Sequence, residues 1–558
     1  MRPPTDRFAA TARPGDALAS WQRAQQALAQ RDLGRARAEL QATLAADPTQ
    51  VQPRVLLAGV MLAGNELRSA CAQLLQAARR LPRDAATVCR VAQALMRVGE
   101  TTAVRDCLAH PAIAHCQDGA TLASLAHLHQ LLGQHRESLA LMDRARAGGY
   151  DNADFRYFRA IQLQFNGRLD EAAAELEACL QLGPSYGRAW LTLARLRRQS
   201  REHNHIDAIR AQRSRAAGDE DRAACEFALY KEHEDLGELD DAWQALQRAN
   251  ALMHARLRHD PVAEARLYNG LAARCDADLL ASHREPEPAA DEGPQPIFII
   301  GLPRSGTTVL DRILGNHPDV VSAGELGDFG HQLRWSVDLP GRSLADAAML
   351  ERLPSLDLDT LGRRYLTQSR WRAGGCTRYV DKLPANFVLA GLIAPALPRA
   401  RLLHLVRAPM DVCFSNYRAL FGDAYAYSYD LATLASHHRN YRQLMAHWHT
   451  VAPGRILDVD YQQLVAEPER VGAQVLAFCG LPAAEGISDL ASNTAPVATL
   501  SAAQVREPIH SRGVGEWRRY EAQLQGLREL LGDDVVGNGA MATGSDNDSD
   551  DASPAAKA

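Results

Sequence analysis

Residues 298–314 of the chain read FIIGLPRSGTTVLDRIL. An apolar run leads into a turn of small residues and then into an amphipathic pattern, which predicts a buried strand, a tight loop and a helix. Residues 301–308 match the phosphate-loop pattern G-x-x-x-x-G-K-[ST] except that Thr307 stands at the lysine position, while Arg304 lies inside the loop. The pattern therefore predicts a loop that binds an anion but lacks the lysine that reaches the β- and γ-phosphates of a nucleoside triphosphate.

The helix that follows the loop is expected to direct its first backbone amides at one anionic group. The residues that supply them are Ser305, Gly306, Thr307 and Thr308. The guanidinium of Arg304 adds a fork that can bind a second oxygen. A glycine-rich turn without any ligand is the alternative, and the Arg-Ser and Thr-Thr pairs argue against it.

The composition limits the class of protein. The 558 residues, 46% of them hydrophobic, are enough for two to four domains. A formal net charge of -5 gives no broad positive field, so nonspecific binding to nucleic acid or anionic membranes is not expected. No signal peptide and no run of about 18 apolar residues occur, which predicts a cytoplasmic protein without a membrane span. The ten scattered cysteines lack metal-ligand spacing, so we expect reduced core thiols and no metal site.

The first half of the chain contains a repeat of 34 residues. Alanine recurs on one phase of this period, at Ala24, Ala58, Ala92, Ala126, Ala160 and Ala194. Paired amphipathic patterns, as at 158–186, fit two antiparallel helices that cross closely at small residues. The pattern resembles the tetratricopeptide repeat over residues 17–260, and a generic Ala/Leu-rich solenoid is the alternative. Either arrangement predicts an all-α solenoid with a concave face, which binds a protein or peptide partner or serves as a scaffold.

After the repeats the pattern changes to short aliphatic runs that alternate with helical patterns, which predicts a parallel sheet with crossover helices. The predicted strands are 297–300, 402–406 and 455–459. We therefore predict a multidomain chain whose C-terminal α/β domain is P-loop-like. Its divisions are 1–16 (flexible N-terminus), 17–260 (helical repeats), 261–295 (terminal helix and linker), 296–533 (α/β domain) and 534–558 (disordered acidic tail).

Five ordered sequence blocks, spread over about 220 residues, carry a second resemblance. They are GLPRSGTT with HPDVVSAGE (301–325), VDKLPANF (380–387), LLHLVRAPMDVCFSNY (402–417), VDYQQLVAEPE (459–469), and TLSAAQVREPI with GEWRRYE (499–521). Together they resemble the sulfotransferases that use 3′-phosphoadenosine 5′-phosphosulfate (PAPS), closest to the tyrosylprotein sulfotransferases. The resemblance implies that the loop holds the 5′-phosphosulfate, which explains the absent lysine.

The same resemblance assigns catalytic roles. Glu325 matches the base that removes the proton of the acceptor hydroxyl. Lys382 matches the lysine that neutralises the bridging oxygen as the sulfuryl group leaves. Such a transfer is a loose in-line displacement in which positioning and charge stabilisation do most of the catalysis. PAPS is then the co-substrate, and no metal is implied because the loop and basic residues supply the charge.

Further residues match the nucleotide site of that family. Arg407 and Ser415 fit the 3′-phosphate site, and Tyr461 and Ser501 match positions that line the nucleotide. The basic side chain of the closing segment is expected from Arg512.

Two family positions differ in this chain. The arginine expected four residues after the serine is Ala419, with Arg418 one position off, and the last basic residue of the family is Glu516. These differences make the C-terminal part of the site the least defined.

The remaining candidates are weighed against ordinary core roles. His404 on an apolar strand is expected to be a core histidine. The histidines of residues 437–449 lie in a helical pattern without partner carboxylates, which indicates a solvated or interdomain face rather than a metal site. The aromatic run 421–430 fits a substrate-facing loop or an edge strand, and both stay open.

The sequence therefore predicts a PAPS-dependent sulfotransferase fused to tetratricopeptide-type repeats. A protein or peptide acceptor is favoured, with glycans and small hydroxylated molecules still open. The alternative is a tetratricopeptide adaptor whose C-terminal domain binds a nucleotide without catalysis. A P-loop kinase is disfavoured because Thr307 replaces the lysine and no Walker B carboxylate is evident.

Overall fold

The structure, a computed structural model, describes residues 14–282, 293–491, 493, 495–498 and 508–532. Its N-terminal part is all helical, and its C-terminal part contains a five-stranded sheet with helices on both faces. Both predicted fold classes are thereby confirmed. The predicted acidic tail and Ser501 lie outside the described residues.

The helical part contains sixteen described α-helices, α1 to α16. In chain order they are Pro14–Ala29, Leu33–Ala46, Val51–Ala63, Leu67–Ala78, Ala85–Arg97, Thr101–Leu108, Gly119–Leu131, His135–Ala147, Ala153–Phe165, Leu169–Leu182, Gly187–Leu196, Ile206–Arg213, Asp219–Leu236, Leu239–Leu257, Pro261–Arg274 and Ala277–Ser282. From α2 to α11 the predicted period is visible in the helix starts. Second helices begin at 33, 67, 101, 135 and 169, and first helices begin at 51, 85, 119, 153 and 187.

Small residues and turn residues explain the period. The six alanines of the predicted phase are at most 1% exposed, because they lie where paired helices cross. The turn between paired helices has a left-handed residue at one phase, with φ between 60° and 80°, at Arg31, Asn65, Gly99, Gly133 and Gly167. Glycine adopts this conformation without strain, and it occupies three of the five positions.

The sheet of the C-terminal part is wholly parallel, with the strand order β2-β3-β1-β4-β5. Its strands β1 to β5 are Gln295–Gly301, Val320–Ser322, Arg378–Asp381, Arg401–Val406 and Ile456–Asp460. The three predicted strands correspond to β1, β4 and β5. The apolar pattern does not locate β2 or β3, which are three and four residues long.

Ten described α-helices, α17 to α26, accompany the sheet. They are Thr307–Gly315, Asp328–Ser336, Ala347–Arg352, Leu358–Ser369, Ala390–Ala396, Pro409–Tyr417, Leu431–Val451, Tyr461–Ala466, Pro468–Phe478 and Gln525–Leu531. Described 3-10 helices lie at Pro111–Ile113, Leu353–Ser355, Arg370–Ala373, Pro384–Leu389, Ala426–Tyr429 and Glu516–Tyr520. Helix α17 begins at Thr307, directly after the loop, where the sequence predicts a helix.

The hydrophobic core runs from the sheet into the last repeats. All seven residues of β1 are buried, with Ile297 and Ile299 on one face of the sheet and Phe298 and Ile300 on the other. The second face belongs to the same buried cluster as Trp243 of α14. The repeats and the sheet therefore share one continuous core.

The turns of earlier repeats also contact the C-terminal part. At the start of α6, the Thr101 hydroxyl donates to the carbonyl of Gln368 at 2.8 Å, and Glu100 pairs with Arg364. A Cβ on Gly99 would lie 2.4 Å from the His331 Cβ, so this contact needs glycine. These contacts seat the repeats directly against α18 and α20.

The remaining expectations concern cysteines, the linker and membrane spans. The ten cysteines are free thiols that form no disulfide with one another, and nine are buried, as expected of core thiols. Helix α16 lies inside the segment predicted as terminal helix and linker, and α1 begins inside the segment predicted as flexible N-terminus. None of the described helices combines the length and apolar character that crossing a membrane requires.

Candidate functional site

Each strand of the sheet ends beside a residue that the sequence singles out. Strand β2 is followed after two residues by Glu325, β3 by Lys382, β1 by the loop 302–306, β4 by Arg407 and β5 by Tyr461. Parallel strands end at the same edge of a sheet, where ligands of open α/β folds bind. The fold therefore gathers residues from four of the five sequence blocks at one edge.

The loop between β1 and α17 forms a tight cradle. Gly306 has a φ of 107°, and a Cβ there would lie 2.3 Å from the Tyr461 ring. Arg304 has a φ of 65°, which is uncommon for a residue other than glycine. Ser305 is 1% exposed, and its hydroxyl has no hydrogen-bond partner among the described residues. A buried hydroxyl without a hydrogen-bond partner among the described residues fits a site that accepts a polar ligand.

The first amides of α17 are available for the same ligand. Within the described parts of the chain, no acceptor pairs with the amides of Gly306, Thr307 or Thr308. Both threonine side chains are buried beside them. Amides at a helix start favour negative charge because of their direction and the helix dipole. The cradle thus has the donors that an anion needs.

Arginines surround the cradle. Arg407 donates from Nη1 to the Arg304 carbonyl at 2.8 Å, and its guanidinium lies 4.8 Å from the centre of the Tyr461 ring. Arg304 donates from Nε to the Ser415 hydroxyl at 3.4 Å. Burial, together with the charges of Arg418, Arg195 and Arg407, lowers the pKa of Arg304 to about 9. The positive charges repel one another, so an anion among them would be stabilised.

The C-terminal segment contacts this cluster through its backbone and through a carboxylate. The carbonyl of Gly513 accepts from Arg407, while the side chain of Arg512 is exposed. Arg418 donates to Glu516, the residue that stands at the basic family position. Glu516 therefore pairs with a nearby arginine, and the role of Arg512 stays a prediction.

Glu325 and Lys382 form a direct ion pair. The Lys382 Nζ lies 2.5 Å from Glu325 Oε1, and the backbone amide of Lys382 donates to the Gly324 carbonyl at 2.8 Å. The lysine side chain is 2% exposed and the glutamate side chain 42%. The lysine is thus fixed in the interior, while the carboxylate remains accessible to an acceptor.

The aromatic run 421–430 contains a tyrosine whose pKa responds to the charge of Glu325. Residues Ala426–Tyr429 of this run form a 3-10 helix, so the edge-strand interpretation is wrong. The Tyr427 ring stacks on the His437 ring of α23, with 3.4 Å between the ring centres. Burial raises the pKa of Tyr425, and the charge of Glu325 raises it further. The Tyr425 and Phe421 rings lie 5.0 Å apart. Sequence alone does not select the loop interpretation, since it depends on a contact with another helix.

The histidines have partners in the core and between elements. His404 is 1% exposed and its Nδ1 lies 2.7 Å from Asp458 Oδ1, as expected of a core histidine. His449 contacts the same oxygen at 2.9 Å, and His437 contacts Glu264 at 2.9 Å. The expectation that the α23 histidines lack carboxylate partners is therefore wrong. Ligand atoms of His404, His449 and Asp458 lie within 4.8 Å of one another, but hydrogen bonds among them already account for the group.

Residues 296–485 match the sulfotransferase family. The first four sequence blocks, the strand ends and the cradle lie within this range, and the fifth block follows it. The C-terminal part of the chain thus carries a sulfotransferase-family domain, as the resemblance predicts.

Similar proteins include curated sequences and solved structures. An uncharacterized protein of Aquifex aeolicus is 32% identical over 318 residues, which span 56% of this chain and 41% of that protein. Protein-tyrosine sulfotransferase 1 of Danio rerio is 24% identical over 241 residues, or 40% of this chain and 65% of that protein. The chain spans less than two thirds of the length of both. The sulfotransferase domain of the Synechococcus PCC 7002 olefin synthase is 22% identical, covering 42% of this chain and 91% of that one, with a TM-score of 0.30.

Two arginines whose charges act on the cradle are not assigned by sequence reasoning. Arg418 is noted only as one position away from the family arginine, and Arg195 lies in the repeats, where no motif marks it. The charge of Arg195 contributes to the lowered pKa of Arg304, an effect between distant segments that no motif predicts.

Proposed function

We propose that the chain is a PAPS-dependent sulfotransferase that transfers the sulfuryl group to a hydroxyl of a protein or peptide. One observation carries the proposal: the unpaired amides of α17, the buried Ser305 hydroxyl and an arginine cluster converge at the sheet edge that also holds the Glu325–Lys382 pair. A nucleotide with anionic groups at both its 5′ and 3′ ends matches this distribution of donors. The family match of residues 296–485 supports the same reaction class.

The residues around the cradle divide between the two ends of the donor. The amides of Gly306 to Thr308 and the Ser305 hydroxyl would hold the phosphosulfate end. Arg407 and Ser415 would hold the 3′-phosphate, and Ser415 already accepts from Arg304. The phosphosulfate end and the 3′-phosphate end would be held by residues that follow different strands. This arrangement would fix the orientation of the donor, which is the main requirement of an in-line transfer.

Glu325 and Lys382 would act on the attacking oxygen and the leaving oxygen of the transfer, respectively. Glu325 takes the proton of the acceptor hydroxyl as the new sulfur–oxygen bond forms. Lys382 stabilises the negative charge on the oxygen whose bond to sulfur breaks. The products are a sulfate ester and adenosine 3′,5′-bisphosphate. Before substrates bind, the ion pair holds the carboxylate and the ammonium in place.

A protein or peptide acceptor is supported by two features. The charge of Glu325 raises the pKa of Tyr425, and the Tyr425 and Phe421 rings, 5.0 Å apart, would offer an apolar wall to an acceptor side chain. Helical repeats of this kind present a concave surface suited to an extended partner. The name of the Danio rerio relative indicates a tyrosine acceptor in that protein, and we extend the peptide class to this chain.

Calorimetry with adenosine 3′,5′-bisphosphate and with ADP tests the donor site. We expect the first ligand to bind at least tenfold more tightly, because a bidentate guanidinium contact to phosphate contributes about 1.5–3 kcal/mol. The Arg407→Ala variant should lose this preference. Equal affinities in the wild type, or an unchanged preference in Arg407→Ala, would contradict the proposal.

A nucleotide-binding adaptor without catalysis is the second candidate. The observation that favours it is Glu516, which places a carboxylate where the family resemblance implies a basic residue. The candidates differ in one measurement, the transfer of labelled sulfate from PAPS to a peptide library. Binding of the bisphosphate without any transfer in that assay would favour the adaptor.

A further inference from the structure

A buried carboxyl directly precedes the lysine of the Glu325–Lys382 pair. Asp381 is the last residue of β3, and it is 0% exposed. Successive side chains of a strand point to opposite faces, so Asp381 points to the same face of the sheet as Tyr379. This face is the one that belongs to the continuous core shared with the repeats. The carboxyl therefore lies inside the protein at the position next to Lys382.

Two side chains contact this carboxyl. The Tyr365 hydroxyl of α20 donates to Asp381 Oδ2 at 2.9 Å, and the Asn386 Nδ2 lies 3.4 Å from Asp381 Oδ1. Tyr365 and Asn386 are both 0% exposed. Asp381 and Asn386 stand on either side of Lys382 in the sequence, so their contact closes the backbone around the lysine. The carboxyl thereby anchors the lysine segment to α20.

The surroundings of the carboxyl are apolar. Phe298 is opposite Asp381 in the register of β1 and β3, and the rings of Phe298 and Phe329 lie 5.5 Å and 5.7 Å from the Tyr365 ring. Among the residues that the structure describes, no basic side chain forms an ion pair with Asp381, since Lys382 pairs with Glu325. An unpaired charge in such surroundings is costly, so a carboxyl there keeps its proton instead.

The charged groups of the neighbouring elements leave this conclusion unchanged. Asp328 of α18 and Arg372 of the 3-10 helix Arg370–Ala373 pair with each other at 3.3 Å. Burial is the main cause that raises the pKa of Asp381 to about 8; the hydrogen bond from Tyr365 lowers it, the charge of Asp328 raises it and that of Arg372 lowers it. A protonated Asp381 at neutral pH thus agrees with its contacts.

We propose that Asp381 is a positioning residue of the transfer reaction, which as a neutral carboxylic acid fixes Lys382 for its contact with the leaving oxygen. The inference rests on the proposed function, because it needs Lys382 to stabilise that oxygen. An ionised carboxyl at the next residue would compete for the ammonium and would repel the anionic sulfuryl donor, and both effects oppose the transfer. The neutral acid holds the segment through hydrogen bonds and leaves the charge of Lys382 to Glu325 and the donor.

The kcat of sulfate transfer from labelled PAPS to a tyrosine-containing peptide, measured on the full chain across neutral and alkaline pH, tests the inference. Asp381→Ala should lower kcat by about 10²-fold, because a misplacement of about 1 Å has this effect. Its affinity for adenosine 3′,5′-bisphosphate should stay within about twofold of wild type, since the donor cradle is untouched. Asp381→Asn keeps the shape and the neutral charge, so it should recover most of the lost rate at neutral pH.

The alkaline side of the pH profile separates a positioning role from a merely structural one. In the wild type, kcat should fall above about pH 8 as Asp381 ionises, and Asp381→Asn should lack this fall. Tyr365→Phe removes a donor that favours the ionised carboxyl, so it should move the fall to higher pH. Tyr186→Phe is the matched control, because its hydroxyl donates to Asp154 at 2.8 Å within the repeats. Its profile should follow that of the wild type.

Infrared difference spectra of the wild type and Asp381→Asn give a readout that does not depend on transfer. At neutral pH the wild type should show the carbonyl stretch of a protonated carboxyl that the variant lacks. If this band is absent, or if Asp381→Asn keeps the alkaline fall in kcat, the inference is overturned while the proposed function stands. If Asp381→Ala does not fold, the profile of Asp381→Asn and the spectra decide. If the wild type transfers no sulfate at any pH, the proposed function and the inference fall together.

Discussion

Substituting Gly306 by alanine should destroy the anion cradle while leaving the repeats folded. Two costs act at this position. A left-handed backbone costs an L-residue about 1–2 kcal/mol. The new Cβ would also lie 2.3 Å from the Tyr461 ring, and overpacking of a buried contact costs about 1–3 kcal/mol. Together the free energy of unfolding should fall by about 2–5 kcal/mol.

The same substitution should weaken the binding of adenosine 3′,5′-bisphosphate by at least about tenfold, because the displaced Tyr461 ring moves against Arg407. Gly454→Ala is the matched control: Gly454 has a φ of 74° and nothing within 4 Å of its Cβ position. It should lose only about 1–2 kcal/mol and retain ligand binding. Urea titration measures the first quantity and calorimetry the second.

A double-mutant cycle isolates the contact itself. Combining Gly306→Ala with Tyr461→Ala removes the ring that the new methyl group meets, so the two changes should show a coupling energy of about 1–3 kcal/mol. Equal stability losses in Gly306→Ala and Gly454→Ala, with ligand binding retained in both and additive effects in the cycle, would refute this account of the loop.

Three further outcomes follow from contacts in the structure. Glu325→Gln should lower the rate of sulfate transfer by about 10²–10⁴-fold while changing bisphosphate affinity less than twofold, and transfer at the wild-type rate would remove its role as base. Asn250→Leu should lower the free energy of unfolding in urea by about 1–3 kcal/mol, because the Tyr417 carbonyl, which accepts from the Asn250 side chain at 3.0 Å, loses its donor; an unchanged midpoint would contradict that contact. Burial raises the pKa of Asp381 to about 8, so the folded chain keeps a proton that the unfolded chain releases above about pH 4. Asp381→Asn should therefore gain stability relative to the wild type between pH 5 and pH 8, and parallel pH profiles in chemical denaturation would show otherwise.

Much of the fold follows from local patterns in the sequence. The 34-residue period predicts where helices cross, because small residues are needed wherever two helices approach closely, as at Ala126. The start of α17 is equally local, since the loop composition determines the turn into the helix. Strands β2 and β3 are too short for an apolar period to be recognised.

The residues of the site also divide into those that sequence motifs assign and those that depend on packing. Glu325 and Lys382 can be assigned from motifs, and the parallel order of β2 and β3 then brings them together. The effect of Arg195 on Arg304 cannot be assigned in this way, because nothing in a repeat helix marks which residue will act on another domain. Residues contributed across domain contacts need the assembled structure, since their proximity is a property of packing between distant segments.

The strand order has a consequence for biosynthesis. On the ribosome each helical repeat meets its partner within 34 residues of synthesis, whereas the central strand β1 waits for β3 and β4, which emerge about 80 and 100 residues later. Local contacts form quickly and distant ones slowly, so the nascent chain completes its solenoid before the sheet can close. The solenoid is then a finished platform against which the aliphatic residues of β1 can be shielded from aggregation until their neighbours are made.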